Sequence, residues 1–119
     1  MRFLFLIAFL TASTVAARSI ELAIELPEAG EISAERIDAT YDCGSQAMMS
    51  VEYVNAGPVS LAVFAHEGEP VIASNVLSAS GARYAAGPFI WWTKGPQASL
   101  YDLRNGEDAP PVLECTEQR

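Results

Sequence analysis

Apolar and polar residues alternate in short runs along most of this chain, a period of two that is typical of β-strands with one buried face. The first two runs place their apolar side chains at Ile37, Ala39, Tyr41 and Cys43, and then at Met49, Val51 and Tyr53. Gly, Pro and Asn residues separate the runs and supply turns. No stretch of ten or more residues after residue 17 has a helical period with capping residues. The pattern therefore predicts an all-β protein.

Six further runs carry this alternation to the end of the chain. They predict strands at 59–65, 70–77, 82–86, 89–93, 98–103 and 112–116. About eight short strands in a chain of this size favour an antiparallel barrel or a sandwich, because both arrangements limit the exposure of strand edges.

The first 35 residues do not follow the pattern, apart from a short alternation of apolar and acidic positions that starts at residue 21 and is compatible with an edge strand. Arg2, an apolar run at 3–10 and small residues that end at Ala17 are typical of a signal peptide. The apolar run is too short to be one of the roughly 20-residue segments that span a bilayer. Residues 18–35 are acidic and broken by proline and glycine, so we expect a leader segment there and a β-domain at 36–119.

Length and composition narrow the class of protein further. About 100 residues follow the signal peptide, which is enough for one domain. The two cysteines, Cys43 and Cys115, most simply form a disulfide in an exported protein. With His66 as the single histidine, they do not make a four-ligand metal site. From Arg18 onward six Lys or Arg face fifteen Asp or Glu, a net charge of −9 that repels nucleic acid and attracts basic partners, although it also serves solubility.

The stretch 78–100 holds the polar residues with the most informative spacing. Ser80 and Lys94 are equally distant from Gly87. If Gly87 centres a hairpin turn, the two residues oppose each other, with Cβ atoms roughly 4.5–5.5 Å apart. The spacing then predicts a hydroxyl and an ammonium group that project together, beside Gly81 and Gly95. Without further information a solvated turn lysine and a serine that caps local backbone are the commoner outcomes.

The same stretch resembles a known family. Its ordered segments are SASGARY at 78–84, WWTKG at 91–95, Ala98 with Leu100, and YDC at 41–43 with the late Cys115. They are similar to those of the bacterial inhibitors of c-type lysozyme, in their periplasmic and membrane-bound forms. The resemblance implies an eight-stranded barrel that is not an enzyme, and a host lysozyme as partner.

The resemblance also implies how inhibition works and where it takes place. In the family, the serine and lysine at the positions of Ser80 and Lys94 insert into the active site of the enzyme. Membrane-bound relatives carry a lipobox cysteine at the cleavage site, and this sequence does not. We therefore expect a soluble periplasmic protein, without stable membrane insertion after signal cleavage, as a monomer or a homodimer and without a cofactor.

The residues around the pair complete the predicted lysozyme-binding set. Gly81 and Gly95 are expected to shape the loops, and Arg83 and Tyr84 to form the rim. Adjacent strand residues point to opposite faces, so one of the two tryptophans at 91–92 should fill the barrel and the other be at least partly exposed. The sequence leaves open which one faces out, and Trp92, beside the lysine, is the candidate interface residue.

Two other functions fit parts of the sequence. A small barrel can hold one small ligand, which is our alternative function, but the many aromatic residues predict a filled interior. A catalytic pair of Ser80 and Lys94 needs a desolvated lysine, whereas both residues neighbour turn glycines that water reaches easily.

Overall fold

Eight strands account for most of the residues that the computed structural model describes, which are 33–44 and 48–119. They are β1 (Ala34–Asp42), β2 (Met49–Ala56), β3 (Val59–His66), β4 (Glu69–Val76), β5 (Ala82–Ala86), β6 (Phe89–Lys94), β7 (Gln97–Asp102) and β8 (Leu113–Gln118). Each strand pairs antiparallel with the next, and β8 pairs with β1 to close a barrel. The predicted all-β barrel of about eight strands is confirmed.

The predicted signal peptide at 1–17 lies outside the described residues, as does most of the predicted leader at 18–35. Strand β1 begins at Ala34, close to the predicted domain start at residue 36. The predicted end of β7 at Leu103 instead begins a single 3₁₀ turn, Leu103–Asn105, which the side chain of Asp102 caps. Within 33–44 and 48–119, no helix has the length and apolar character needed to cross a membrane.

Three of the hairpins turn on a Gly-Pro pair. The pairs are 57–58, 87–88 and 95–96, and each separates two residues that are partners in the ladder. The three glycines have φ of 58°, 54° and 55°, while the proline ring holds φ negative. This is the sign pattern of a type II′ turn, whose twist matches that of the paired strands. The repeated dipeptide therefore fixes the register of three hairpins.

The turn at 87–88 corrects the predicted register by one position. Ala86 pairs with Phe89, and further along the ladder Ala82 pairs with Thr93. Continued by one residue, this register sets Gly81 opposite Lys94. The expectation that Ser80 opposes Lys94 is wrong, because proline shares the turn with glycine and the hairpin has a two-residue loop.

The barrel interior is filled by the alternate side chains of the strands. Trp91 is completely buried, and it donates a hydrogen bond of 2.9 Å from Nε1 to the hydroxyl of Tyr53. That hydroxyl also pairs with the hydroxyl of Tyr41 at 2.7 Å. The Tyr41 ring meets the Trp91 ring edge-on, with 5.2 Å between the centroids. The prediction that one of the adjacent tryptophans fills the barrel is confirmed, and the filled interior argues against a ligand chamber inside it.

A disulfide between Cys43 and Cys115 closes the seam where the first and last strands meet, as predicted. The ladder between β1 and β8 contains three residue pairs and ends at Asp42 opposite Thr116. The cysteines follow directly in the same register, with 4.1 Å between their Cα atoms. The disulfide thus extends a ladder of three pairs, which is as short as the β4–β5 ladder.

Candidate functional site

Alternate strand connections of an up-and-down barrel lie at the same end. The β2–β3, β4–β5 and β6–β7 connections form one end, here called the tip end, and the β3–β4, β5–β6 and β7–β8 connections form the base end. Ser80 lies in the β4–β5 connection, and Lys94 is the last residue of β6. Both side chains are therefore at the tip end, and both residues are exposed.

Gly81 brings the two residues together despite the corrected register. It has φ of 65°, and a Cβ on it would lie 2.1 Å from the carbonyl oxygen of Thr93 and 2.9 Å from Cγ of Lys94. Such separations are far below van der Waals contact, so the position requires glycine. Because Gly81 has no side chain, the aliphatic part of Lys94 lies against its backbone. The lysine thus sits beside the residue that follows Ser80.

Hydrogen bonds to the backbone hold Ser80 in place. Its carbonyl oxygen accepts one bond of 2.9 Å from Nε1 of Trp92 and another of 2.6 Å from the hydroxyl of Ser78. The hydroxyl of Ser80 itself takes part in none of the side-chain hydrogen bonds found in the described part of the chain. The hydroxyl that caps the local backbone is thus that of Ser78, and the Ser80 hydroxyl is available to a partner.

Two cations flank Trp92 on the outer face of the barrel. The Lys94 ammonium lies 4.2 Å from the centroid of the indole ring, and the Arg83 guanidinium carbon lies 5.6 Å from it. Both distances are within the range of cation–π attraction. The ion pairs found among residues 33–44 and 48–119 join Arg36 to Glu52 and Arg104 to Asp102. Neither tip cation takes part in them, so both can meet a carboxylate from outside.

One member of the predicted binding set lies elsewhere. Tyr84 is 7% exposed and points into the barrel, because it pairs with the buried Trp91 across the β5–β6 ladder. Its ring packs against that of Tyr53 at 5.6 Å, and burial raises its pKa above 10.0. The expectation that Tyr84 forms part of the rim is wrong. The other predicted residues lie on the outer face or at the tip end, namely Ser80, Gly81, Arg83, Trp92, Lys94 and Gly95.

The sequence did not single out Leu77. It follows the last residue of β4 and is 98% exposed at the tip end, in the same connection as Ser80. An exposed leucine is ordinary in itself. The alternation of the sequence carried no signal for it, because Val76 pairs with the outward-facing Arg83, and continued alternation would turn residue 77 toward the core. Its position makes it a candidate apolar contact beside the polar pair.

Two concave surfaces lie at opposite ends of the barrel. A cavity of about 600 Å³ opens at the base end, where Met48, His66, Asp102 and Val112 contribute to its lining. A groove of about 110 Å³ lies on the outer face at the tip end and is lined by Trp92, Lys94, Gln97, Ser99 and Tyr101. The exposed polar pair is therefore not part of the larger cavity, and Lys94 borders the smaller groove.

Comparison with protein families identifies a match over most of the barrel. The family model described as membrane-bound lysozyme-inhibitor of c-type lysozyme matches residues 41–109, a range that contains the whole β4–β5 connection and Lys94. The description is that of an inhibitor, a protein that binds an enzyme and is not one itself.

Two curated relatives carry the name membrane-bound lysozyme inhibitor of C-type lysozyme. The protein from Cupriavidus necator is 47% identical over 73 residues, which cover 61% of this chain and 58% of the relative. The protein from Pseudomonas aeruginosa is 41% identical over 97 residues, which cover 80% of this chain and 74% of the relative. The matched region thus spans less than two thirds of the length of the first relative.

Two solved structures share the fold. The chain is similar to Pseudomonas aeruginosa MliC in its crystal structure with hen egg white lysozyme, with a TM-score of 0.67 and 36% identity over 87% of this chain and 99% of that one. It is also similar to PliC-St, the periplasmic lysozyme inhibitor of C-type lysozyme from Salmonella typhimurium, with a TM-score of 0.58 and 26% identity over 71% of this chain and 99% of that one.

Proposed function

This chain belongs to the family of membrane-bound lysozyme inhibitors of c-type lysozyme, and we propose that it inhibits a c-type lysozyme by inserting Ser80 and Lys94 into the active-site cleft. Occupation of the cleft blocks the hydrolysis of peptidoglycan. The observation that carries the proposal is the packing of the Lys94 side chain on Gly81, which sets an exposed ammonium group beside an exposed serine at the end of a rigid barrel.

The chemistry of the target explains the choice of these two groups. A retaining glycosidase such as lysozyme uses two carboxyl groups about 5–5.5 Å apart, one as acid and the other as nucleophile or charge stabiliser. The Lys94 ammonium pairs with the ionised carboxylate in a charge-assisted hydrogen bond. The Ser80 hydroxyl, which both donates and accepts, bonds to the other carboxyl group. Together they exclude sugar and water from the cleft, so inhibition is competitive.

Charge supports the proposal at two distances. The acidic chain attracts a basic enzyme over a long range and raises the rate of encounter. At the tip end the local charge has the opposite sign, because Arg83 and Lys94 are outside the ion pairs found among the described residues. These cations meet the acidic cleft once the two proteins are in contact. Arg83 forms the rim around the inserted pair, Trp92 lies between Arg83 and Lys94, and Gly81 and Gly95 keep the loops narrow.

We further propose that the protein is exported and acts in the periplasm. The disulfide between Cys43 and Cys115 requires an oxidising compartment, and the pattern of residues 1–17 is that of a signal peptide. Fractionation of expressing cells should recover the protein with the soluble periplasmic contents. Recovery with the membranes or the cytoplasm would contradict this localisation.

The direct test of function is an assay of cell-wall clearing. Protein purified in its oxidised form is added to a c-type lysozyme that is clearing a suspension of bacterial cell walls. The expected result is inhibition that increasing substrate relieves. If the protein at concentrations well above that of the enzyme leaves the clearing rate unchanged, the proposed function is wrong.

The role of Lys94 is tested in the same assay. Lys94→Ala should weaken inhibition by about 2 kcal/mol or more, roughly 30-fold, as truncation of a central interface residue does. Its fold should be unaffected, because the side chain is exposed. Arg104→Ala is the matched control: it also removes one positive charge, but at the base end, and should inhibit like the parent. Equal inhibition constants for Lys94→Ala and the parent would remove this lysine from the mechanism.

A further inference from the structure

We infer that Trp92 is a positioning residue that holds both Ser80 and Lys94 in place before the enzyme is bound. The inference rests on the function proposed above for that pair. One indole group makes both contacts: its Nε1–H donates to the Ser80 carbonyl at 2.9 Å, and its ring lies 4.2 Å from the Lys94 ammonium. In this role Trp92 acts through its two neighbours and not as an independent contact with the enzyme.

The contact with Ser80 ties a loop to the barrel wall. Residues 77–81 connect β4 to β5 and lie outside the strand ladders. Trp92 belongs to β6 and pairs with Arg83 across the β5–β6 ladder, so its backbone is fixed. A hydrogen bond from this side chain to the Ser80 carbonyl therefore restrains the serine relative to β6. The lysine is carried by the same strand, so the bond sets the position of one member of the pair relative to the other.

The contact with Lys94 restricts a flexible side chain. A lysine carries about 2 kcal/mol of rotamer entropy, part of which is lost when its ammonium is held by a partner. Lys94 lies two residues after Trp92 on the same face of β6, so its ammonium reaches the ring without distortion of the strand. Packing of its Cγ against Gly81 restricts the other end of the side chain. Much of the ordering that binding requires is therefore present in the free inhibitor.

The two contacts together explain why the residue is tryptophan. Phenylalanine offers a ring to the ammonium but no N–H to the loop, and leucine offers neither. A target with two carboxyl groups at a fixed separation needs both inhibitor groups in a fixed relation, and preorganisation of that relation strengthens binding. Trp92→Phe and Trp92→Leu therefore separate the two contacts, while Phe89→Leu is a matched control on the same strand at the base end.

The first measurement uses the free inhibitor and is independent of any enzyme. By NMR, the Cε protons of Lys94 should be shifted upfield by the indole ring current, and the Trp92 indole N–H should exchange with solvent at least about tenfold more slowly than that of an exposed tryptophan. Trp92→Phe should retain an upfield shift, and Trp92→Leu should lose it, whereas Phe89→Leu should leave it unchanged. A parent protein without the shift or the protection would overturn the inference.

The second measurement is a double-mutant cycle in the inhibition assay. Trp92→Leu should raise the inhibition constant about tenfold or more, and Trp92→Phe by a smaller factor. The loss caused by Lys94→Ala should be at least about fivefold smaller in the Trp92→Leu background than in the parent, because residues that act as a unit are not additive. Additive losses would overturn the inference, since Trp92 would then contact the enzyme on its own. If the parent inhibits no c-type lysozyme, the proposed function fails, and the NMR result alone decides whether Trp92 positions the pair.

Discussion

Single residues decide whether the tip can form, and Gly81 is the clearest case. Its positive φ and the nearby carbonyl oxygen of Thr93 exclude any side chain at this position. The sequence indicated that Gly81 shapes a loop, but not that it is the surface on which Lys94 lies. That contact depends on the register set by the two-residue Gly-Pro loop, which brings Gly81 opposite Lys94, and a hairpin centred on Gly87 does not contain it. The alternation that assigned Tyr84 to a strand also sets it on the opposite face from Arg83, but does not by itself say which of the two faces the core.

We predict that Gly81→Ala damages both stability and inhibition. The left-handed φ costs about 1–2 kcal/mol for an alanine, and displacement of the Thr93 backbone adds about 1–3 kcal/mol. Gly87→Ala is the control, because Gly87 has φ of 54° but no atom within 4 Å of the point that an alanine Cβ would occupy. In urea unfolding, the free energy of unfolding should fall further for Gly81→Ala than for Gly87→Ala. Only Gly81→Ala should weaken inhibition. Equal losses for the two variants would mean that the close contact at Gly81 has no energetic weight.

At the scale of strands and turns, most of the architecture follows from local pattern. Each of the six strands predicted after residue 58 begins and ends within two residues of the observed strand. The register of the β5–β6 hairpin was predicted one position out, although the three Gly-Pro pairs contained the signal for two-residue loops. Closure of the barrel depends on contact between the first and last strands, and short-range alternation does not specify which distant strands meet.

The disulfide should be essential to that closure. The β1–β8 ladder has three residue pairs, and Cys43 and Cys115 are separated by 72 residues. Loop-closure entropy gives such a crosslink a contribution of roughly 4 kcal/mol, a large share of the stability of a small domain. In urea unfolding, the free energy of unfolding of the double variant Cys43→Ser, Cys115→Ser should be lower than that of the parent by about this amount. In the same variant, the backbone amides of Thr40–Asp42 should exchange with solvent faster than those of the β3–β4 ladder. A loss below about 1 kcal/mol would show that the three-pair seam holds without the crosslink.

At the scale of the whole molecule, the net charge should govern how fast the complex forms. Ionic strength from about 0.01 to 1 M shortens the Debye length from about 30 to 3 Å, and the association rate constant with a basic lysozyme should fall about tenfold or more. The substitutions Glu107→Gln and Asp108→Asn remove two negative charges at the base end and should also lower this rate constant. Lys94→Ala should instead mainly raise the dissociation rate constant. Stopped-flow fluorescence measures both, and an association rate that is independent of salt would rule out steering.

The buried tyrosines should make the barrel sensitive to alkali. Burial raises the pKa of Tyr41, Tyr53 and Tyr84 above the usual 10.0. Above pH 10 the unfolded chain loses phenolic protons that the folded barrel retains, so the stability linked to these groups is complete below pH 10 and declines as pH rises beyond it. Urea unfolding between pH 8 and 11 should show this decline, with a shallower slope for Tyr53→Phe. A free energy of unfolding that is constant up to pH 11 would contradict it.

Both the beginning of β1 and the finish of β8 lie at the tip end, since Ala34 pairs with Ala56 beside one Gly-Pro turn and the amide of Glu117 bonds to Pro96 in another. An affinity tag, fusion partner or biosensor support joined directly ahead of Ala34 or after Gln118 would therefore crowd the face that we propose to reach the enzyme. A label grafted near Gly106, on the far side, would immobilise the molecule with that face pointing outward.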